Sequence, residues 1–141
     1  MLWTPHLVKK VLSALPLVLA ACGISSGSMD GTYTGVADEV VSAPNERVTR
    51  DQWRHPVTLE SRGDVILVRY GACEHRAHAS RSGASFVDSQ CNVTIGDRSW
   101  QLSISGTITV NGNQLGIVAT GGADSSEGRT SYSYRFSGSR R

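Results

Sequence analysis

The sequence predicts an all-β fold, an antiparallel up-and-down meander of about seven or eight strands closed as a small barrel or folded as a compact sandwich. Three observations carry this expectation. Trp100, Leu102, Ile104, Gly106, Ile108 and Val110 alternate with Gln101, Ser103, Ser105, Thr107 and Thr109, the period of a half-buried antiparallel strand. The composition, with 15 glycines, 6% aromatics and abundant Ser and Thr, favours strands and turns over helices. Short apolar segments recur along the chain between clusters of Gly, Asn, Asp and Ser. A length of 141 residues gives room for one domain. A barrel is preferred to a sandwich because closure removes exposed strand edges.

Taken in order, residues 31–37 read as the first strand. The next expected strands are 57–61, 64–70 after an Arg62-Gly63 turn, 73–79, and 84–95 with a break near Asp88. Residues 100–110 come next, and Gly106 in their middle predicts a bend or bulge. Asn111-Gly112-Asn113 then marks a tight hairpin, since Asn and Gly accept positive φ, with residues 114–120 as the returning strand. Tyr132, Tyr134 and Phe136 alternate with small and polar residues and form a last strand with an aromatic inner face. Residues 38–55 are the exception and read as a long loop covering one end of the barrel, with Asn45 capping a helical turn that carries Val48 and Trp53.

Residues 1–21 read as an export signal: Lys9-Lys10 form a positive n-region, residues 11–19 an apolar h-region, and Ala20-Ala21 the small residues before cleavage. The apolar run is too short to span a membrane, and Ser13 and Pro16 interrupt it. Leu19-Ala20-Ala21-Cys22 resembles the bacterial lipoprotein lipobox. That resemblance implies a diacylglyceryl thioether at Cys22, cleavage before it, and acylation (palmitate-type chains) of the new N-terminus, a lipid anchor to the membrane. Gly23, where some bacteria use Asp to retain lipoproteins at the inner membrane, implies the outer membrane, in its periplasmic leaflet or at the surface. Residues 22–30 are then the lipidated N-terminus and a flexible tether, and 31–141 a single β domain. The Gly-Thr-Tyr-Thr-Gly opening at 31–35, a later cysteine pair and the Asn-Gly-Asn hairpin also resemble small Gly/Thr-rich β lipoproteins of environmental bacteria. That likeness implies the fold and no activity.

Setting Cys22 aside leaves Cys73 and Cys91, an even pair in an oxidising compartment, for which a disulfide is expected. Cys91, Val93 and Ile95 share one parity, which places the bridge on the apolar face. The whole-chain charge of +2 includes both lysines of the leader, and the residues after the leader balance 12 arginines against 12 acids. No electrostatic footprint for nucleic acid is present.

Candidate chemistry is sparse. Cys73-Glu74-His75-Arg76-Ala77-His78 is the densest polar cluster, but His75 and His78 differ by an odd number and face opposite sides of a strand, so they do not share a metal. The segment reads as a polar strand with solvated Glu74, Arg76 and His78. No G-x-S-x-G elbow, dinucleotide fingerprint, Walker sequence or calcium loop occurs, and no cofactor or catalytic residue is expected. Asn92-Val93-Thr94 matches a glycosylation sequon that a bacterial lipoprotein does not use. Trp53, Trp100, Tyr132 and Tyr134 are the candidate ligand or partner contacts: with Phe136 they either line a barrel mouth or, in the case of Trp100, Tyr134 and Phe136, fill the core. The expected function is a non-enzymatic, outer-membrane-anchored structural or interaction module of the cell envelope. The alternatives are a lipocalin-like carrier of a hydrophobic small molecule and an inhibitor of a secreted hydrolase. A cavity favours the carrier and a rigid protruding 38–55 loop the inhibitor.

Overall fold

The computed structural model describes residues 28–141; the export signal, the lipobox and Cys22 lie outside the described residues. Eight antiparallel strands run in chain order: β1 (Gly31–Ala43), β2 (Glu46–Arg62), β3 (Val65–Tyr70), β4 (Cys73–Ser80), β5 (Gly83–Ile95), β6 (Arg98–Asn111), β7 (Gln114–Ser125) and β8 (Gly128–Ser139). Each pairs with its sequence neighbour, and β8 returns to pair with β1, so the sheet is a closed barrel. The sandwich alternative is thereby set aside. Among the described residues no helix is long and apolar enough to cross a membrane.

The segment 38–55 is not a loop. It is the outer half of a long β1–β2 hairpin, with Ala43 facing Glu46 across a turn at Pro44-Asn45 and Val41 facing Val48. There is no helical turn at Asn45. The strand signal is hidden because the inward positions of this hairpin include Glu39, Arg50, Gln52 and His55, so apolar and polar residues do not alternate in the usual sense. The 111–114 hairpin also differs by one place from the expected Asn-Gly turn: Asn111 pairs with Gln114, the loop residues are Gly112 and Asn113, and only Gly112 takes positive φ, at 59°.

Two bulges re-aim side chains. In the β1–β2 pair the register shifts between Gly35 and Ala37, which face His55 and Gln52. Arg54 occupies the extra position with φ 56°. Gln52 and His55 therefore both reach the interior although they are three apart in sequence. In the β5–β6 pair the shift falls between Phe86 and Ser89, with Asp88 at φ 50°. This is the break expected near Asp88, and it turns Phe86 and Ser89 to the same side. Gly106 is not itself bulged; it faces Phe86 across the ladder. A Cβ there would lie 2.5 Å from Phe86 Cζ, so the missing side chain makes room for the ring.

The interior is filled by the barrel's own side chains. Tyr33, Val57, Leu59, Val68, Leu102, Ile104, Leu115 and Ile117 are buried in one contiguous core with Tyr132, Tyr134 and Phe136. The end where the N-terminal segment enters is plugged. Met29 packs against the core, the Tyr33 hydroxyl donates to the Met29 carbonyl at 2.8 Å, and the Ser61 amide donates to Asp30 Oδ1 at 2.7 Å. Arg140 Nη1 donates to the carbonyls of Ser28 and Asp30 at 2.6 and 2.7 Å while its guanidinium lies 5.6 Å from the Tyr33 ring centre.

Candidate functional site: a polar pocket at the barrel mouth

The opposite end is built differently because β3 and β4 are short. β2 pairs with β3 only over Thr58–Arg62, and β4 pairs with β5 only from His78 to Ser80. Above the Gly71-Ala72 turn the inner edges of β2 and β5 thus face each other without a strand between them. Side chains close the gap. The Cys73–Cys91 disulfide, with Cα atoms 5.4 Å apart, ties β4 to β5 where their ladder has ended. Arg50 Nη1 of β2 donates to the Thr94 carbonyl of β5 at 3.1 Å.

Under this bridge lies a cavity of about 100 Å³, walled by Ala37, Ala72 and Val93 and carrying polar groups from Glu39, Arg50, Gln52, His55, Asn92 and Tyr134. Glu39 is 5% exposed. Its Oε1 accepts from Arg50 Nε at 3.0 Å and from Arg50 Nη2, and its Oε2 accepts from the Tyr132 hydroxyl at 2.7 Å. Both carboxylate oxygens are therefore engaged, and the Arg50 charge offsets that of Glu39. Two further polar atoms, His55 Nε2 and the Tyr134 hydroxyl, are buried with no hydrogen-bond partner among the described residues. Such orphans are uncommon in folded proteins, and each costs about 1–3 kcal/mol unless something fills the site.

Rings stack inward from this mouth. Tyr134 lies parallel to Tyr70 with centres 4.1 Å apart, and the edge of His55 meets both Tyr134 and Phe136 at 6.2 Å. Tyr70 then donates to or accepts from His75 Nε2 at 2.9 Å, His75 Nδ1 bonds Ser89 Oγ at 2.6 Å, and the His75 ring stacks on Phe86 at 4.2 Å. One nitrogen of a neutral imidazole donates and the other accepts, so this arrangement satisfies the ring without charge. Burial holds the His75 pKa down to about 4. Burial likewise lowers that of His55, against a smaller opposing pull from Glu39. It raises those of Tyr70, Tyr132 and Tyr134, which keep their protons throughout the physiological range.

The residues singled out in the sequence fall in four places. Tyr134 lines the pocket, and Tyr132 lies behind it on Glu39. Trp100 is half-buried against the core, whereas Trp53 stands on the outer face, 80% exposed, next to the bulge that carries His55. Cys73 and Cys91 form the disulfide on the inner face. Cys22 lies outside the described residues. His75 and His78 do face opposite sides, but the inner one is a buried, fully bonded core group, which a reading of that stretch as a solvated polar strand leaves out. Among the described residues no group of three or more potential metal ligands converges.

Glu39, Arg50, Gln52 and His55 escape the sequence reading because they sit in the segment that reads as a loop. The signal that finds them is the double valine at Val40-Val41, which, set against Val48, supports a hairpin centred on Pro44-Asn45. Comparison with protein-family models, with curated proteins and with solved structures finds no match for the chain.

Proposed function

We propose that the protein is a non-enzymatic lipoprotein, anchored through Cys22 to the outer membrane, whose barrel serves the cell envelope as a binding module that receives its partner at the β2–β5 mouth. The observation that carries this reading is the opposition of the two ends: Met29 and Asp30 are docked at the plugged end, and the polar pocket opens at the other. Residues 23–28, fully extended, span at most about 20 Å. An anchor at Cys22 thus holds the plugged end near the bilayer and turns the mouth away from it.

The packing argues against the carrier alternative. Pockets for lipid-like ligands run from about 300 Å³ upward, and the cavity here is about 100 Å³ with a polar lining. The inhibitor alternative relies on a protruding 38–55 loop, and those residues are paired strands. Catalysis draws little support from the pocket. Its only cysteine is bridged, its lining has no serine, and both Glu39 oxygens are engaged.

Cell fractionation tests the anchor. The wild-type protein is expected in the membrane fraction with incorporated labelled palmitate, and Cys22→Ser in the soluble fraction without it. Unchanged fractionation of Cys22→Ser would overturn the assignment.

A further inference from the structure

We propose that the outer face of the β8–β1 seam is the contact surface for a second copy of this chain, with Trp53 of each copy seated in a groove of the other. This goes beyond the reading of the mouth and does not depend on it.

Knob and groove stand at one level of the sheet. Gly116 of β7 pairs with Ser137 of β8, Ser137 pairs with Val36 of β1, and Val36 lies opposite the bulge formed by Trp53 and Arg54 of β2. β2 and β7 are each the second strand from the seam. On one side a large ring therefore projects, and at the matching position on the other a side chain is missing. Trp53 is 80% exposed, more than any other large apolar residue among those described. A Cβ at Gly116 would meet nothing within 4 Å, so its place is open. Val36 and Val118, both exposed, border the groove, whose volume is about 350 Å³.

A two-fold axis along the seam turns this asymmetry into a fit. It lays β8 of one copy on β1 of the other, and each residue meets the one at the mirrored position across the seam. Trp53 of either copy then falls on Gly116 of the other. The barrel surface curves away on both sides of the seam, and the space left there suits a long, flat ring.

The charges at the next level obey the same symmetry. Arg135 of β8 faces Asp38 of β1 in the ladder, and Asp38 faces Asp51 of β2. All three are exposed, and among the described residues none of them joins an ion pair. Two carboxylates directly opposite each other on one face repel. The axis brings Arg135 of one copy over Asp38 of the other, beside Asp51, so a basic side meets an acidic side twice. A small apolar guest in the groove would leave Trp53 and both carboxylates uncovered, because they lie across the seam from it.

Sedimentation equilibrium of the full-length protein in an excess of nonionic detergent micelles is the test. The wild type is expected to pass from monomer to dimer as its concentration rises. Trp53→Ala, and Gly116→Leu, which fills the groove from the opposite side, should each weaken dimerisation about tenfold or more. Their melting, measured where all the proteins are monomeric, should stay near that of the wild type. Arg135→Asp and Asp38→Arg should each abolish self-association, since each sets like charges against one another across the axis. Mixed in equal amounts, the two charge variants should associate again, because every seam contact of the mixed pair joins opposite charges. Repair within one chain does not produce that rescue, so it separates an interface from an effect on folding.

A wild type that stays monomeric at every concentration it tolerates would assign the face to a different partner and overturn the proposal. A dimer indifferent to Trp53→Ala and Gly116→Leu, or a mixture of the charge variants that stays monomeric, would overturn it as well.

Discussion

His75 shows what a single buried residue does to the whole protein's response to acid. It is fully buried and neutral, with its pKa held at about 4, whereas the unfolded chain takes up a proton near 6.5. Above 6.5 neither state is charged and the full native stability is present; between 6.5 and about 4 only the unfolded state binds the proton, so stability falls as pH falls. The loss attributable to His75 is about 3 kcal/mol and is complete below about pH 4. His55 adds to it in the same direction. The bonded carboxylates Asp30, Glu60 and Glu74 have lowered pKa values, so their stabilisation is lost only below their ordinary values of 3.8 to 4.5, and the upper part of the window belongs to the histidines. Urea unfolding at pH 7 and at pH 5 should show this drop, and His75→Gln should flatten it. An equal slope in both proteins would remove His75 as its cause.

Gly106 is the second residue-scale case. Gly106→Ala places a methyl against the Phe86 ring, for an expected loss of about 1–3 kcal/mol from overpacking. A thermal melt unchanged from wild type would show that the ring has room to move. The sequence marks both residues, the glycine by its position in an alternating strand and the histidine by its parity. Neither the ring over Gly106 nor the Tyr70–His75–Ser89 bonding is legible there, because both depend on the Asp88 bulge that realigns β5 against its neighbours.

At the scale of elements, each of the eight strands contains a segment that reads as a strand in the sequence, and the clearest is β6, whose residues 100–110 alternate apolar and polar. The outer half of the β1–β2 hairpin does not, because its inward positions are polar. Alternation is a sign of an apolar interior, and it fails where the interior is a site. The Arg54 bulge adds to the concealment, since it breaks the parity between Gln52 and His55.

The disulfide is the most legible element-scale feature, from cysteine count and compartment alone. Its mechanical role is not, because that depends on how early the β4–β5 ladder stops. In place of backbone bonds, the upper β4–β5 seam has the bridge and the His75–Ser89 bond. Replacing Cys73 and Cys91 by alanine opens a loop of 18 residues and is expected to cost about 3 kcal/mol. Hydrogen exchange should then speed up in β4 and the outer half of β5 before it does in β6 and β7. Uniform acceleration through the barrel would mean that the bridge acts on the unfolded chain alone.

On the scale of the whole molecule the barrel has two unlike ends. One is closed by Met29, Tyr33 and Arg140, and the other is left open by a short β3–β4 hairpin and lined with polar groups. Closure of eight strands agrees with the fold class expected from composition and alternation. The asymmetry comes from strand lengths, which turn signals place only to within a few residues. A barrel of this size has just enough interior for its own side chains, so the place where packing is left incomplete is informative. Here that place is the mouth, where His55 and Tyr134 lack partners among the described residues.

Occupancy of that mouth in the cell is the most direct test of its role as a binding site. Native mass spectrometry of the protein isolated gently from the envelope, compared with a His55→Leu/Tyr134→Phe double variant isolated the same way, measures it. A stoichiometric small-molecule adduct on the wild type, released on denaturation and missing from the double variant, is the predicted result. A bare mass for the wild type, or an adduct held equally by both proteins, would contradict it.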